Sequence, residues 1–356
     1  MAESIKNRNE FLFLYDIKNG NPNGDPDENR PRIDEVSKRC YVTDVRLKRF
    51  IRDYLMQIDG EDAILVTKVN RKTVNLTERV KQRLIKDQID DTKQKKISGA
   101  DLLNKLLDCF VDLKMFGSPL AFKDAPDSWG DTGTLTGPIQ INFGETLHQV
   151  EETTFHGTTI FGSKKELKQG TFTTYYAIPY GLIAFHAVAN ENAAKTTKLG
   201  QHDMDKFKVA LWKSVRESVT ANTRTKKEQQ PRLLLNIVYK EKIRLEGEER
   251  LVPTEYHIGS LEEKIRLNSK VGEQINIRKV GDYTLDPTEL YIAISKVKDK
   301  IEKIEYCLSP EFYGIFEIDN NKIDFVKKLR ELAKKNNKES YFEVENLDID
   351  MLSVVT

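Results

Sequence analysis

Three cysteines in 356 residues, Cys40, Cys109 and Cys307, are too few and too far apart for a CxxC metal knuckle. Their odd number fits a reducing compartment, and their spacing excludes structural zinc. No stretch approaches the roughly 18 uninterrupted apolar residues of a membrane span. The opening MAESIKNRNE lacks the apolar core of a secretion signal. These absences predict a cytoplasmic protein without membrane contact. The five histidines, His148, His156, His186, His202 and His257, show no HExxH spacing. No GxxxxGK[ST], GxSxG or GxGxxG follows an expected strand. Neither a resident metal nor another cofactor is expected.

Net charge of one sign is missing too. Fifty-seven Lys and Arg against fifty-six Asp and Glu give +1, a total that alone does not point to a polyanion. The distribution does. From Arg30 to Arg52 eight basic residues (Arg30, Arg32, Lys38, Arg39, Arg46, Lys48, Arg49, Arg52) face only Asp34, Glu35 and Asp44, and the last fourteen residues carry four acids and no base. Such segregation fits either a nucleic-acid groove or solvated helix faces. The 38% hydrophobic content supports a sizeable core, in one elaborated domain or two small ones.

Residues 10 to 18, EFLFLYDIK, read as a first strand that runs into NGNPNGDPDENRP, a loop in which three prolines and two glycines forbid regular structure. Asp44 is positioned to cap a helix to about Ile58, with Leu47, Phe50, Ile51, Tyr54, Leu55 and Ile58 on one arc and Arg46, Lys48, Arg49 and Arg52 on the other. Helices are also expected at 76–89, at 99–113 capped by Ser98, at 204–219, at 287–304 and at 322–335. Strands are expected at 138–143, 171–189 and 232–239. Strands separated by helices and long loops predict an α+β fold.

Asn19, Asn21, Asn23, Gly24 and Asp25 are spaced like the start of a calcium loop, but Arg30 stands where such a loop needs a bidentate glutamate. Asparagine turns closed on their own backbone, or amides open to a phosphate or sugar, are the other readings. Arg30, Arg32, Lys38, Arg39 and the cationic arc of the helix would suit a protein that tracks a phosphate backbone, with Tyr41 available to stack on a base. His148 and His156 could act as an acid–base pair on an RNA 2′-hydroxyl.

The run NGNPNGDPDENRPRID, followed by YVTDVRLKRFIRD, resembles the N-terminal signature of the Cas-seven family of CRISPR-associated proteins, in its Csh or Csd branch. The resemblance continues through MFGSPL, TGPIQINFGETLHQVEE and IPYGLIAFHA and covers most of residues 10–240. It implies one RRM-like (ferredoxin-like) domain over 1–356: a palm, a helical finger insertion at about 60–137 and a thumb hairpin at about 150–171. It further implies a non-catalytic backbone subunit of type I-B, or I-C, Cascade. Copies would stack head to tail on a CRISPR guide RNA, beside other Cascade subunits, and present it for pairing with target DNA. The RNA-binding positions it implies are Asn21, Asn23, Gly24, Arg30, Arg32, Arg46, Lys48, Arg49 and Arg52, with Phe155, Phe161, Lys164 and Lys165 on the thumb. Phe155, Ile160 and Phe161 should have no core of their own there, and one or more should pack against an unstacked base or the next subunit. The competing expectation is an RNA endonuclease of the ferredoxin-like CRISPR group, with His148, Asp25 or Asp34 catalytic.

Overall fold

The computed structural model describes residues 3–69, 72–86, 96–158, 172–244, 250–335, 339–350 and 352. Among them nine strands form one sheet: β1 (Asn9–Gly20), β2 (Tyr41–Val42), β3 (Ile139–Ile141), β4 (Gly144–Thr146), β5 (Thr153–Thr158), β6 (Phe172–Ala189), β7 (Gln229–Tyr239), β8 (Ile301–Leu308) and β9 (Glu343–Asn346). Their order is β9-β8-β7-β1-β6-β4-β2, with β3 and β5 also paired to β6. β1 lies antiparallel between β6 and β7, and only the β8–β9 pair is parallel.

Side chains alternate across a strand, and β1 uses both faces. Phe11, Phe13, Tyr15 and Ile17 enter one apolar cluster with helices α1 (Asp44–Asp59) and α6 (Gln201–Glu217), where Phe207 meets Phe11 edge-on at 5.4 Å. Leu12 and Leu14 enter a second cluster with α7 (Thr288–Lys296), α8 (Phe325–Ala333) and the loops around Leu261 and Phe312. A strand covered on both sides has to be apolar throughout, which is why EFLFLYDI is a run and not an alternation. The expected α+β architecture is present.

A third cluster is separate. Leu65, Val80, Leu84, Leu102, Leu106, Phe110, Leu113, Leu120 and Leu135 close a small core from residues between 60 and 137, built on α2 (Leu76–Lys86), α3 (Gly99–Cys109) and α4 (Val111–Phe116). The helix expected over 99–113 breaks at Phe110, whose extended backbone (φ −123°, ψ 107°) ends α3 and starts α4.

A larger correction concerns 287–304. The helix stops at Lys296 and residues 301–308 are a strand against β7. Ile301, Ile304 and Leu308 repeat at helical spacing, but a bulge between Ile301 and Lys303 shifts the register and restores them to a sheet.

Candidate nucleic-acid interface

Three segments that are distant in sequence converge at one end of the sheet. β1 ends at Gly20, paired with Ile178, and β7 begins at Gln229, paired with Ile17. Beyond Ile178, β6 leaves the sheet and pairs with β5 from Thr153↔Ala177 to Thr158↔Phe172. The loop after β1, the loop before β7 and the base of the β5–β6 hairpin are therefore neighbours. Asn21 N–H donates to the Thr225 carbonyl at 2.7 Å and stitches the two loops together.

The loop after β1 is closed on itself. Asn21 is fully buried and its Nδ2 donates to the Asn29 carbonyl at 2.6 Å. Asn23 Oδ1 accepts from both N–H and Oγ1 of Thr43 at 2.9 Å. Thr43, not Asp44, is the N-cap of α1, its Oγ1 accepting from Arg46 N–H at 3.3 Å. A Cβ on Gly24 would lie 2.0 Å from Asn29 Oδ1, so a larger residue there would have to turn the Asn29 side chain away. Arg32 Nε donates to the Gly24 carbonyl at 3.3 Å. The Asp25 carboxylate accepts the N–H groups of Asp27, Glu28, Asn29 and Arg30, which hold its pKa down. These oxygens are spent on the loop's own amides, so the calcium spacing reflects turn closure.

The basic arc of α1 is not one open cationic face. Lys48 pairs with Asp44 at 2.9 Å and Arg52 with Asp112 at 2.9 Å, and both stand over the Phe116 ring. Their side chains are only 14% and 12% exposed. In the free chain α4 and the residues it holds cover much of this side of the helix. Asp112, buried, also accepts Leu65 and Val66 N–H and so fixes the insertion to α1. Arg49 reaches Asp53 at 2.8 Å and is more exposed.

Arg46 differs from its neighbours. Its guanidinium lies 4.0 Å from the Phe50 ring and donates to the Thr220 carbonyl at 3.3 Å, while Nε is buried without a partner. Burial lowers its proton affinity. Lys226, from the loop before β7, lies near it. Burial, and then the charge of Arg46, push the Lys226 ammonium down to about 8. Among the described residues neither cation has a carboxylate within ion-pair distance. Two partly buried positive charges, with Asp53 acting on Arg46 only from beyond ion-pair distance, form a site that gains from an anion.

The loop that carries Lys226 also reaches aromatic rings through Arg224. Phe155 stacks on Tyr175 across the hairpin, centroids 5.0 Å apart and planes 9° apart, and Arg224 covers Tyr175 at 4.5 Å. Phe155, expected to have no core of its own, has this one ring beside it across the hairpin, and Ile160 lies outside the described residues. Tyr176 points to the other face of the hairpin, where Arg30 lies 4.6 Å from its ring and pairs with Glu152. Phe161, Lys164 and Lys165 lie outside the described residues. Sequence reading missed Lys226, Arg224, Tyr175 and Tyr176; the basic run TRTKK at 223–227 was the available signal.

The groups considered for catalysis are engaged elsewhere. His148 is 1% exposed, stacks on Tyr180 and has Nδ1 2.9 Å from the Gln149 carbonyl; burial pushes its pKa down to about 4. His156 sits out on the hairpin against Thr174. Asp34 accepts Val36 and Ser37 N–H within its own turn, which lowers its pKa.

Cations with no carboxylate in direct contact, guanidinium-capped rings and closed loop backbone can hold a polyanion by its phosphates and stack a base, without reading base edges. The comparisons name the family. CRISPR-associated protein Cas7 matches residues 7–288. A CRISPR-associated protein Cas7 of Haloferax volcanii is 32% identical over 312 residues, covering 84% of this chain and 86% of the relative. The chain belongs to the Cas7 family. Among solved structures, a chain of a CRISPR RNA-guided surveillance complex, pre-nicking, is similar with a TM-score of 0.50 at 12% identity, over 97% of this chain and 98% of that one. No helix of the described residues is long and apolar enough to cross a membrane.

Proposed function

We propose that this chain is a non-catalytic, guide-RNA-binding backbone subunit of a type I CRISPR surveillance complex, of the I-B kind, acting in the cytoplasm. The observation that carries the reading is the Arg46–Lys226 pair, two partly buried cations with no carboxylate in direct contact, on the same loop whose Arg224 covers the Tyr175–Phe155 stack. A guide must be held whatever its sequence, and phosphate charge with ring stacking does this. Family membership supports the same substrate, since the Haloferax relative is a Cas7 protein.

On this reading the four strands β7-β1-β6-β4, joined through α1 and α6, are an RRM-like palm. Their order and antiparallel pairing support this. Residues 60–137, with their own apolar cluster, are the fingers. The β5–β6 hairpin opens the thumb. Copies stack head to tail on the RNA, contact other subunits of the complex and leave the bases free to pair with target DNA. The buried His148 and the amide-bound Asp25 and Asp34 support a role without RNA cleavage.

The test is titration of the purified protein with a guide RNA and with scrambled RNAs of the same length, with and without magnesium, at several salt concentrations. Sequence-independent, salt-sensitive binding into ordered particles with intact RNA is expected. Cleavage, strict sequence dependence or absence of binding overturns the proposal.

A further inference from the structure

Arg30 carries a carboxylate at the root of the β5–β6 hairpin. Its Nε lies 3.2 and 3.0 Å from the two oxygens of Glu152, and Nη2 lies 2.5 Å from Oε1. This is the two-pronged geometry by which a guanidinium also takes a phosphate. The pair is unequal in its other supports. Arg30 rests on the Tyr176 ring at 4.6 Å and touches Glu28 at 3.4 Å. The hydrogen bonds of the Glu152 carboxylate described here all come from Arg30. Removing Glu152 would leave the guanidinium oriented and its fork open.

The pair sits at the root of the hairpin, since Glu152 precedes Thr153, the first residue of β5. Tyr175 and Tyr176 point to opposite faces of β6. Arg30 therefore serves the face opposite Arg224. Its side chain is 48% exposed while that of Glu152 is 19% exposed, and a pair half open to water contributes only modest net stability.

Resting on the guide-RNA reading above, we propose that Glu152 occupies on Arg30 the place of an RNA phosphate and that the arriving strand displaces it. Guide binding then exchanges one anion for another at the root of the hairpin. The free protein keeps this arginine covered, which disfavours short or stray polyanions that make few other contacts.

The experiment measures RNA affinity for the parent, E152Q, R30Q and the double variant across a salt series, with thermal melts alongside. E152Q should bind roughly two- to fivefold tighter than the parent, the scale of one exposed ion pair. That gain should vanish in the R30Q background, because there is no fork left to free. Equal gain in both backgrounds would make Glu152 a generic negative charge and overturn the proposal. Weaker or unchanged binding by E152Q would make the pair a latch or leave it without effect on RNA, and overturns it too. Should E152Q not fold, Glu152→Asp withdraws the carboxylate by one methylene, and tighter binding than the parent is again expected. A parent that binds no RNA sinks the guide-RNA reading itself. A parent that binds while E152Q is unchanged sinks only the exchange.

Discussion

Lys226→Met should stabilise the free protein and weaken its grip on RNA. The ammonium is held at about 8 instead of 10.5, by burial first and by Arg46 second. At 1.36 kcal/mol per tenfold of proton affinity that difference is about 3 kcal/mol, an upper bound on the penalty for keeping the charge in place. The sign follows from proton counting. Below pH 8 both folded and unfolded chains carry the proton and the penalty is full; between pH 8 and 10.5 the unfolded chain holds more protons, so stability rises with pH; above 10.5 the penalty is gone. At pH 7 methionine fills the same volume without charge, and Tm should rise by roughly 2–6 °C. A phosphate restores what burial took away, so the parent should take up protons when it binds RNA at pH 8. Calorimetry in buffers of different ionisation enthalpy measures this. The variant should show no such uptake, and its log–log salt slope should fall by about 0.7. A variant that melts lower, or binds RNA with an unchanged slope and the same proton uptake, would refute the assignment of Lys226 to the phosphate site.

Asp112→Ala should cost about 3–5 kcal/mol, because it strands Arg52 together with two N–H groups of Leu65 and Val66; denaturant unfolding checks this, and a loss under 1 kcal/mol would mean that the insertion does not depend on this anchor. Asn23→Ala removes the acceptor for Thr43 N–H and Oγ1 and should lower stability by about 1–2 kcal/mol, to the same extent with calcium as with chelator; a calcium-dependent Tm in the parent would contradict turn closure. His148, pushed down to about 4 from 6.5, favours its neutral form in the fold. Stability should therefore fall as pH drops from 6.5 towards 4, by about 3 kcal/mol in full. His148→Gln should flatten that acid limb, and an unaltered pH profile would show the ring titrating freely.

The parts of the fold that local chemistry determines were readable in advance. β1 announced itself as an apolar run bounded by a proline- and glycine-rich loop, and α1 by the arc from Leu47 to Leu55. The arc could not say what covers its other side. Amphipathicity separates core from non-core, and Lys48 and Arg52 are neither in that core nor in water: they pair with Asp44 and Asp112 around Phe116. Lys226 was invisible for a related reason. A lysine in a basic run carries no mark of burial, and nothing in spacing ties residue 226 to residue 46; the sheet does, by ending β1 where β7 starts. The strand at 301–308 was lost to a one-residue bulge that mimics helical spacing.

β6 belongs to two structures at once. Its eighteen residues, at about 3.3 Å each, make a single rod of about 60 Å. From Ile178 onward it is clamped along β1, and its first six residues project with β5 as a cantilever. The strand is continuous through the clamp, so the angle of the arm follows the twist of the sheet behind it. A rotation of about 10° at the clamp would carry the end of the paired segment, about 20 Å out, sideways by roughly 3–4 Å, about half the spacing between successive phosphates of an extended strand. Substitutions deep among Phe13, Tyr15 and Phe185, far from any charge, would therefore act as tuning screws on where the arm's end falls.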